Sequence, residues 1–347
     1  MISLLKKYIP QGVQKKIALK RVEKKVCDAY ESFLQTGKTP DDAYMPFIDL
    51  YCATNGRFNE SFNKKIVRTN PAQSVSAKLE GVVGTFSSKD FISINSELNE
   101  SGYVTFEKKL GPDVCQKLYD YALKTPAAIP PAYDSKKIFD PAMPTAEIYR
   151  FDRQDLVNNI EIQKLIMDPV LINIARNYLG CEPIFDFPAL WWTSAYNKDA
   201  SHEAAQLYHF DMDRIKWLKV FVYINDVTPE NGPHCYVKGS HKVGNKPQEL
   251  LKRGYARIPD SDLKKYYKSD DFVELSAEAG TVFAGDTKCW HKGKQLTKGH
   301  RLAMEFEYTS SMFGANYPKL IVENGSDEFK NFCSKNKVYA SNIHFNN

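Results

Sequence analysis

The pattern of apolar and polar positions changes character along the chain. Between residues 13 and 33, Val13, Ile17, Val22, Val26, Tyr30 and Phe33 recur at steps near 3.6 with lysines between them, the signature of an amphipathic helix. Residues 1–90 are therefore expected to form a helical N-terminal extension. From ELNESGYVTFEKKLGPDVCQKLYDYALKTP (97–126) the texture predicts a strand, a turn at Gly111-Pro112 and a helix. The segment NIEIQKLIMDPVLINIARNYLG (159–180) predicts two helices, the second opened by Asp168-Pro169 and stopped by Gly180. Thereafter short runs rich in β-branched and aromatic residues dominate: PIFDFPALWWTSAY, QLYHFDMD, WLKVFVYIND, GPHCYVKGSH, DFVELSAEAGTVFAG and HRLAMEFEYTS. Turn residues separate them and long helical signals are few, which favours an antiparallel sandwich or jelly roll over alternating β-α units. The expected fold is mainly β with helical flanks (α+β): a double-stranded β-helix core over residues 91–320, with a C-terminal tail over 321–347.

One stretch within the strand-rich half carries a cost. In YHFDMDR (208–214) an extended backbone puts His209, Asp211 and Asp213 on one face and Phe210 and Met212 on the other. Three ionisable groups in a row must be solvated, paired or bound to something. His209 and Asp211 read alone would be a hydrogen-bonded structural pair.

Composition narrows the classes. At 347 residues with 43% hydrophobic and 26% charged positions, the chain can bury a sizeable core. The seven cysteines are odd in number, scattered and without a CxxC pair, which points to reduced thiols in a cytoplasmic protein and away from a disulfide framework or thiolate zinc site. No apolar run approaches the roughly 20 residues that span a bilayer, and the opening MISLLKKYIP has too short an apolar core for a secretory signal. The net charge of +5 is concentrated: residues 1–25 hold eight lysines and arginines against Glu23, so the body is mildly acidic. That excludes a basic nucleic-acid-binding stripe on the body. The basic helix is expected to pack on the body, with weak contact to an anionic membrane surface or an acidic partner as the alternative.

A metal explains the cost at 208–214 if a third ligand arrives from a distant strand. His234, His241, His291 and His300 are the candidates. His291 fits best: it follows the strand 280–284 and a Gly285-Asp286 turn in AGTVFAGDTKCWHKGK, and Arg301 opens the next strand ten residues later. His234 and His241 come too soon, in a hairpin around Asn231-Gly232-Pro233, and His300 faces away from Arg301 by parity. Two neutral imidazoles and one carboxylate fill one face of Fe(II) and leave three positions open. A 2-oxo acid can chelate two of these and O2 can take the third. The distal carboxylate of the oxo acid then calls for a fixed cation, which the guanidinium fork of Arg301 supplies.

Taken in order, HFD (209–211), ENGPHCYVKGSH (230–241), GTVFAGDTKCWHKG (280–293) and Arg301 resemble the phytanoyl-CoA dioxygenase family of Fe(II)/2-oxoglutarate oxygenases. GYVTFEKKLGPDVCQKLYDYAL and DPVLINIARNYLG resemble its entry strand and helices, so the likeness runs over roughly residues 95–310. The resemblance implies iron on His209, Asp211 and His291 and the distal carboxylate of 2-oxoglutarate on Arg301. It also implies that Gln206 lines the cosubstrate site and that Lys219 presents a polar group inward. Gly293 stands where relatives often carry a serine that touches the cosubstrate, a lost hydroxyl for which Lys219 is the candidate replacement.

The function implied is hydroxylation of an aliphatic C–H in a small-molecule or carrier-linked metabolite, with 2-oxoglutarate converted to succinate and CO2. Desaturation or ring formation would use the same triad, whereas an intact Asp211 argues against halogenation. A non-catalytic β-sandwich binding a ligand, or a cupin-like enzyme with another metal and no oxo acid, are the readings from other classes. Trp191 and Trp192 alternate faces; Trp192 is the candidate substrate-facing ring, against a plain packing role. Asp213 shares the face of Asp211 but would block a position the chemistry needs, so it is a candidate for reading substrate. Cys289 is expected to be an inert buried thiol and Asp286 to serve its turn. The mildly acidic body gives no strong case for a highly anionic substrate, a reading that a local basic pocket would reverse.

Overall fold

The strands predicted after residue 180 pair into two antiparallel sheets whose facing sides enclose a cavity. A computed structural model of the chain describes residues 11–72, 78–197, 199–201 and 203–346. In chain order the elements are α1 (Gln11–Thr36), α2 (Tyr44–Thr54), α3 (Arg57–Thr69), β1 (Lys78–Gly81), β2 (Gly84–Ser87), α4 (Ser88–Ser101), β3 (Tyr103–Lys109), α5 (Pro112–Lys124), β4 (Ala127–Ile129), β5 (Ala132–Lys137) and β6 (Ile148–Arg150). There follow α6 (Arg153–Val157), α7 (Ile160–Ile166), α8 (Pro169–Leu179), β7 (Ile184–Ser194), β8 (Trp217–Tyr223), β9 (His234–Val237), α9 (Gln248–Leu251), α10 (Asp260–Leu263) and β10 (Phe272–Leu275). The chain closes with β11 (Thr281–Gly285), β12 (His291–Gly293), β13 (His300–Thr309), β14 (Leu320–Val322), α11 (Asp327–Lys335) and β15 (Ile343–Phe345).

The larger sheet runs β3-β11-β8-β13-β7-β6-β4-β5 and the smaller one β10-β9-β12. This is the double-stranded β-helix, a jelly roll with helical flanks. Alternation along the central strands decides what faces where. On β13, Leu302, Met304, Phe306 and Tyr308 join a core with helices α4, α5, α7 and α8, while Arg301, Ala303, Glu305 and Glu307 have the opposite parity. On β8, Leu218, Val220 and Val222 face those helices, leaving Lys219, Phe221 and Tyr223 toward the smaller sheet. Phe221, Tyr223, Phe283 and Ala303 meet Tyr236 of the smaller sheet in a separate inner core. Both faces of the central strands are thus covered, so every residue of β8 is buried.

The helix pair at 160–179 forms where its stop signals lie. Asp168 caps α8, accepting hydrogen bonds from Val170 N at 2.8 Å and Leu171 N at 3.0 Å, Pro169 takes the first helical position, and Gly180 ends the helix at φ +75°.

A third core lies behind the smaller sheet. Val26 of α1 and Phe47, Ile48, Leu50 and Tyr51 of α2 pack with Phe210, Met212, Cys235, Val237 and Trp290. Val22, Tyr30 and Phe33 are partly buried against this core, whereas Ile17 is exposed and the side chain of Val13 lies outside the described residues, as do residues 1–10. The N-terminal region also contains the hairpin β1–β2, which the helical pattern did not reveal: two four-residue strands are too short to print a period of two. At the other end, Phe329, Cys333, Tyr339 and Ile343 join the first core, and β14 pairs with β15 in parallel.

Residues 208–213 do not form a regular strand. Bridges exist only at Tyr208, opposite Ile258, and at His209, opposite His291. The alternation nevertheless holds, with Phe210 and Met212 fully buried on the helical side. The segment is clamped at its end by Arg214, itself fully buried, whose Nε and Nη2 donate to both oxygens of Asp186 on β7 and whose Nη1 donates to the carbonyls of Met312 and Ala315. Removing one partner of a buried ion pair strands the other's charge. Asp186→Ala is therefore expected to cost roughly 3–5 kcal/mol of stability, measured by urea unfolding of the two proteins.

Candidate active site

His209 and Asp211 reach the cavity on one edge and His291 arrives from β12, directly opposite His209 across the antiparallel bridge. Their Nε2 and carboxylate atoms converge: His209 Nε2 lies 3.7 Å from Asp211 Oδ1 and His291 Nε2 lies 3.6 Å from Asp211 Oδ2, with the imidazole centroids 4.2 Å apart. All three ligand atoms fall within 4.8 Å of one another. Each imidazole is aimed by a carbonyl two residues before it, Leu207 O at 2.9 Å from His209 Nδ1 and Cys289 O at 3.0 Å from His291 Nδ1. A carbonyl can only accept, so Nδ1 carries the proton and Nε2 keeps its lone pair for the common point.

The electrostatics suit a cation there. Burial holds both imidazoles below their ordinary pKa, outweighing the pull of Asp211 in the other direction, and His291 and Arg257 add to the lowering at His209. Burial works against ionising Asp211, but Lys219 and the two imidazoles outweigh it and hold the carboxyl well below the usual range. Lys219 Nζ donates to Asp211 Oδ2 at 2.9 Å. Two neutral nitrogen donors and one carboxylate, with the remaining polar atoms of all three already engaged, fit Fe(II) and leave its other positions to ligands from the cavity.

Lys219 has further partners. Its ammonium lies 3.3 Å from Glu305 Oε1, 3.3 Å from Glu307 Oε2 and 4.0 Å from Asp213 Oδ2. Burial pushes the pKa of Glu307 well above the carboxylate range despite Lys219, and neither of its oxygens accepts a hydrogen bond among the described residues. Burial thus disfavours the charged form of Glu307, and Lys219 is the cation that opposes this. Asp213 accepts a hydrogen bond from Tyr317 Oη at 2.9 Å and lines the cavity beside the triad.

Arg301 lines the same cavity and is 2% exposed. Its Nη1 donates to the carbonyl of Gly232, its Nη2 lies 3.4 Å from Thr193 Oγ1, and its Nε has no partner among the described residues. Thr193 is the residue directly opposite Arg301 on β7. A Cβ on Gly293 would lie 3.2 Å from Arg301 Nη2, so the glycine gives the guanidinium its room. The hydroxyl that accepts from Arg301 is that of Thr193. Lys219 is committed to carboxylates, which does not fit the compensating role expected of it.

Two further expectations fall elsewhere. Trp192 does not reach the cavity: Arg301 pairs with Thr193, so Trp192 has outward parity, and it is buried among Tyr119, Phe139 and His300. Trp191 lines the cavity instead. Gln206 is buried, with Oε1 accepting from Ser201 N at 3.0 Å and Nε2 without a partner among the described residues, and it is its neighbours Ala204 and Ala205 that line the cavity. His300 faces away, as its parity requires. His234 lines the cavity wall with its Nδ1 3.1 Å from Tyr223 Oη. Cys289 is fully buried with its thiol pushed up to about 11 by burial and by Asp286, and Asp286 accepts from Lys288 N at 2.9 Å within its turn and from Tyr178 Oη.

The cavity measures about 320 Å³. Its lining includes residues no motif announced: Phe187, Arg153, Tyr255, Arg257 and Tyr317. Arg257 had a readable signal only once Tyr208 was known to face Ile258, because the antiparallel bridge then sets Arg257 beside His209.

A family profile described as phytanoyl-CoA dioxygenase (PhyH) matches residues 98–303. Among curated proteins the sequence finds no match. Solved structures with a similar chain path include EctD from S. alaskensis in its apoform, at 20% identity and TM-score 0.48, covering 72% of this chain and 92% of that one. HygX from Streptomyces hygroscopicus with nickel and 2-oxoglutarate bound gives 17% identity and TM-score 0.45, over 71% and 94% of the two chains. The non-heme alpha ketoglutarate dependent carbocyclase SnoK from nogalamycin biosynthesis gives 16% and 0.44, over 64% and 83%.

If the triad is the metal centre, His291→Ala lowers Fe(II) affinity by more than the roughly 10–100-fold typical of losing an outer partner, while Asp213→Asn leaves it within that smaller range. Anaerobic Fe(II) titration of the two variants checks both.

Proposed function

The chain belongs to the phytanoyl-CoA dioxygenase family of non-haem Fe(II)/2-oxoglutarate-dependent oxygenases, and on that premise we propose that it hydroxylates an aliphatic C–H bond of a small-molecule or carrier-linked substrate. The convergence of His209, Asp211 and His291 with Arg301 in one cavity carries this reading. Iron and 2-oxoglutarate, when bound with O2, supply the oxidising chemistry, the oxo acid leaving as succinate and CO2.

The residues of the chain then have distinct tasks. His209 and His291 offer neutral Nε2 donors, fixed by carbonyls behind them, and Asp211 offers the charge that Lys219 keeps ionised. Arg301, held in place by Gly232 and Thr193, presents its guanidinium to the distal carboxylate of 2-oxoglutarate. Phe187, Trp191 and Phe221 supply apolar wall to the cavity, which limits water around the reacting carbon and strengthens the electrostatic contacts within. An intact Asp211 occupies the position a halide would need, and so supports hydroxylation over halogenation.

Anaerobic addition of Fe(II) and 2-oxoglutarate is expected to give the weak visible charge-transfer band of a chelated oxo acid. No band, together with unchanged metal and 2-oxoglutarate affinity in His291→Ala, would sink the oxygenase reading. Arg301→Ala should raise the 2-oxoglutarate requirement by roughly 30-fold or more, the equivalent of losing about 2 kcal/mol from a buried charge pair. A variant with unchanged requirement would point to metal chemistry without an oxo acid.

A further inference from the structure

The acidic and basic groups of the cavity are not treated alike. Its carboxylates are accounted for: Asp211 and Glu305 by Lys219, and Asp213 by Tyr317 and Lys219. Arg150, Arg153 and Arg257 also line it, and among the described residues none of the three makes a side-chain hydrogen bond or ion pair within 4 Å. Arg257 has a buried Nη1 without a hydrogen-bond partner among the described residues, and it stands close enough to His209 and His291 to lower the pKa of both. Arg153 is held flat, its guanidinium carbon 3.5 Å from the centroid of Phe187 and 4.3 Å from that of Tyr317. Stacking of this kind fixes the plane of the guanidinium while leaving its edge N–H groups free to donate.

Arg153 also sits at a junction. A second cavity of about 370 Å³ adjoins the first, and the two share Arg150, Arg153, Ala189, Trp191 and Tyr317 in their walls. The outer cavity adds Tyr133 and Lys136 from the exposed strand β5. The chain as a whole is only mildly basic, and its body is mildly acidic, yet the passage to the triad is lined by unpaired guanidinium groups.

Building on the oxygenase reading, we propose that the substrate is an anion, carrying a carboxylate or phosphoryl group on an apolar body long enough to extend from the triad chamber toward the outer cavity. Arg153 and Arg257 bind the anionic group, with Arg150 at the rim, and Trp191 and Phe187 border the apolar part. Three cationic groups with no acidic partner within 4 Å among the described residues, Arg153 acting on Glu305 only from farther away, suit recognition of such a group in a concave site, and they set the orientation in which the C–H bond meets the triad.

The test uses the full-length protein loaded anaerobically with Fe(II) and excess 2-oxoglutarate, so that Arg301 is taken. Octanoate, octyl phosphate and octanol serve as probes, with binding read by calorimetry and by perturbation of the charge-transfer band. At least one anionic probe is expected to bind about tenfold or more tightly than octanol, and Arg153→Gln and Arg257→Gln each to weaken it about tenfold, with 2-oxoglutarate affinity unchanged. The Arg→Lys variants, which keep the charge and lose the fork, should fall between and serve if a glutamine variant does not fold. The ratio of octanoate to octyl phosphate affinity assigns the anion. Equal binding of octanol, or anion binding indifferent to Arg153 and Arg257, would overturn the proposal. Arginine-dependent binding by calorimetry in a protein that shows no charge-transfer band would instead retain the anion site and remove the oxygenase reading.

Discussion

Everything in the interior of this barrel is arranged around one ammonium group. Lys219 stands on the central strand β8 with Asp211 on one side and Glu305 and Glu307, from the paired strand β13, on the other. Moving several carboxylates out of water would be prohibitive without a counter-charge, and their shared lysine supplies it. The same contact fixes Asp211 in its ionised form and ties the irregular segment 208–214 to the larger sheet. Since that segment has only isolated bridges, at Tyr208, His209 and Arg214, it depends on side chains for its position: Lys219 in front, Arg214–Asp186 at its end, and the apolar pair Phe210 and Met212 behind.

Those two apolar residues explain why the N-terminal helices matter to the site. Phe210 packs on Tyr51 of α2 and on Trp290, the residue before His291. One hydrophobic cluster therefore backs two of the three triad residues at once. Helices α1 and α2 thus supply the rear wall against which the His209 and His291 side chains are held forward, a role that burial of roughly 1.5–3 kcal/mol per large apolar side chain makes substantial.

Much of this was readable from residue order. Alternation in 208–214 put His209 and Asp211 on one face, and that survived the absence of a regular strand because apolar burial, not ladder hydrogen bonding, enforces it. Arg301 was readable from its place in the strand after His291 and from the family likeness, and parity then set His300 on the other face. What could not be read was register between strands far apart in sequence. Trp191 and Trp192 alternate under any reading, and only the pairing of Arg301 with Thr193 decides that Trp191 faces inward. The same gap hid Thr193 beside Arg301 and Arg257 beside His209. Charge averaged over the chain is silent for a related reason: it counts arginines and acids, not which of them meet in space, and so could not show Arg150, Arg153 and Arg257 on one cavity wall.

Arg257 and Tyr255 lie in the long connection between β9 and β10, residues 238–271, which is fastened to the barrel by the Tyr208–Ile258 bridge, by Asp260 on Lys292, by Ser240 on Trp290 N and by Leu250, Leu251 and Leu263 in the rear core. The triad, Lys219 and Arg301 lie outside that connection. Part of the cavity wall is consequently written on a piece of chain separate from the triad, while Arg153, Phe187 and Trp191 belong to the barrel and its flanking helix. A barrel built in this way can reshape one side of its cavity by exchanging a single loop while the triad stays as it was.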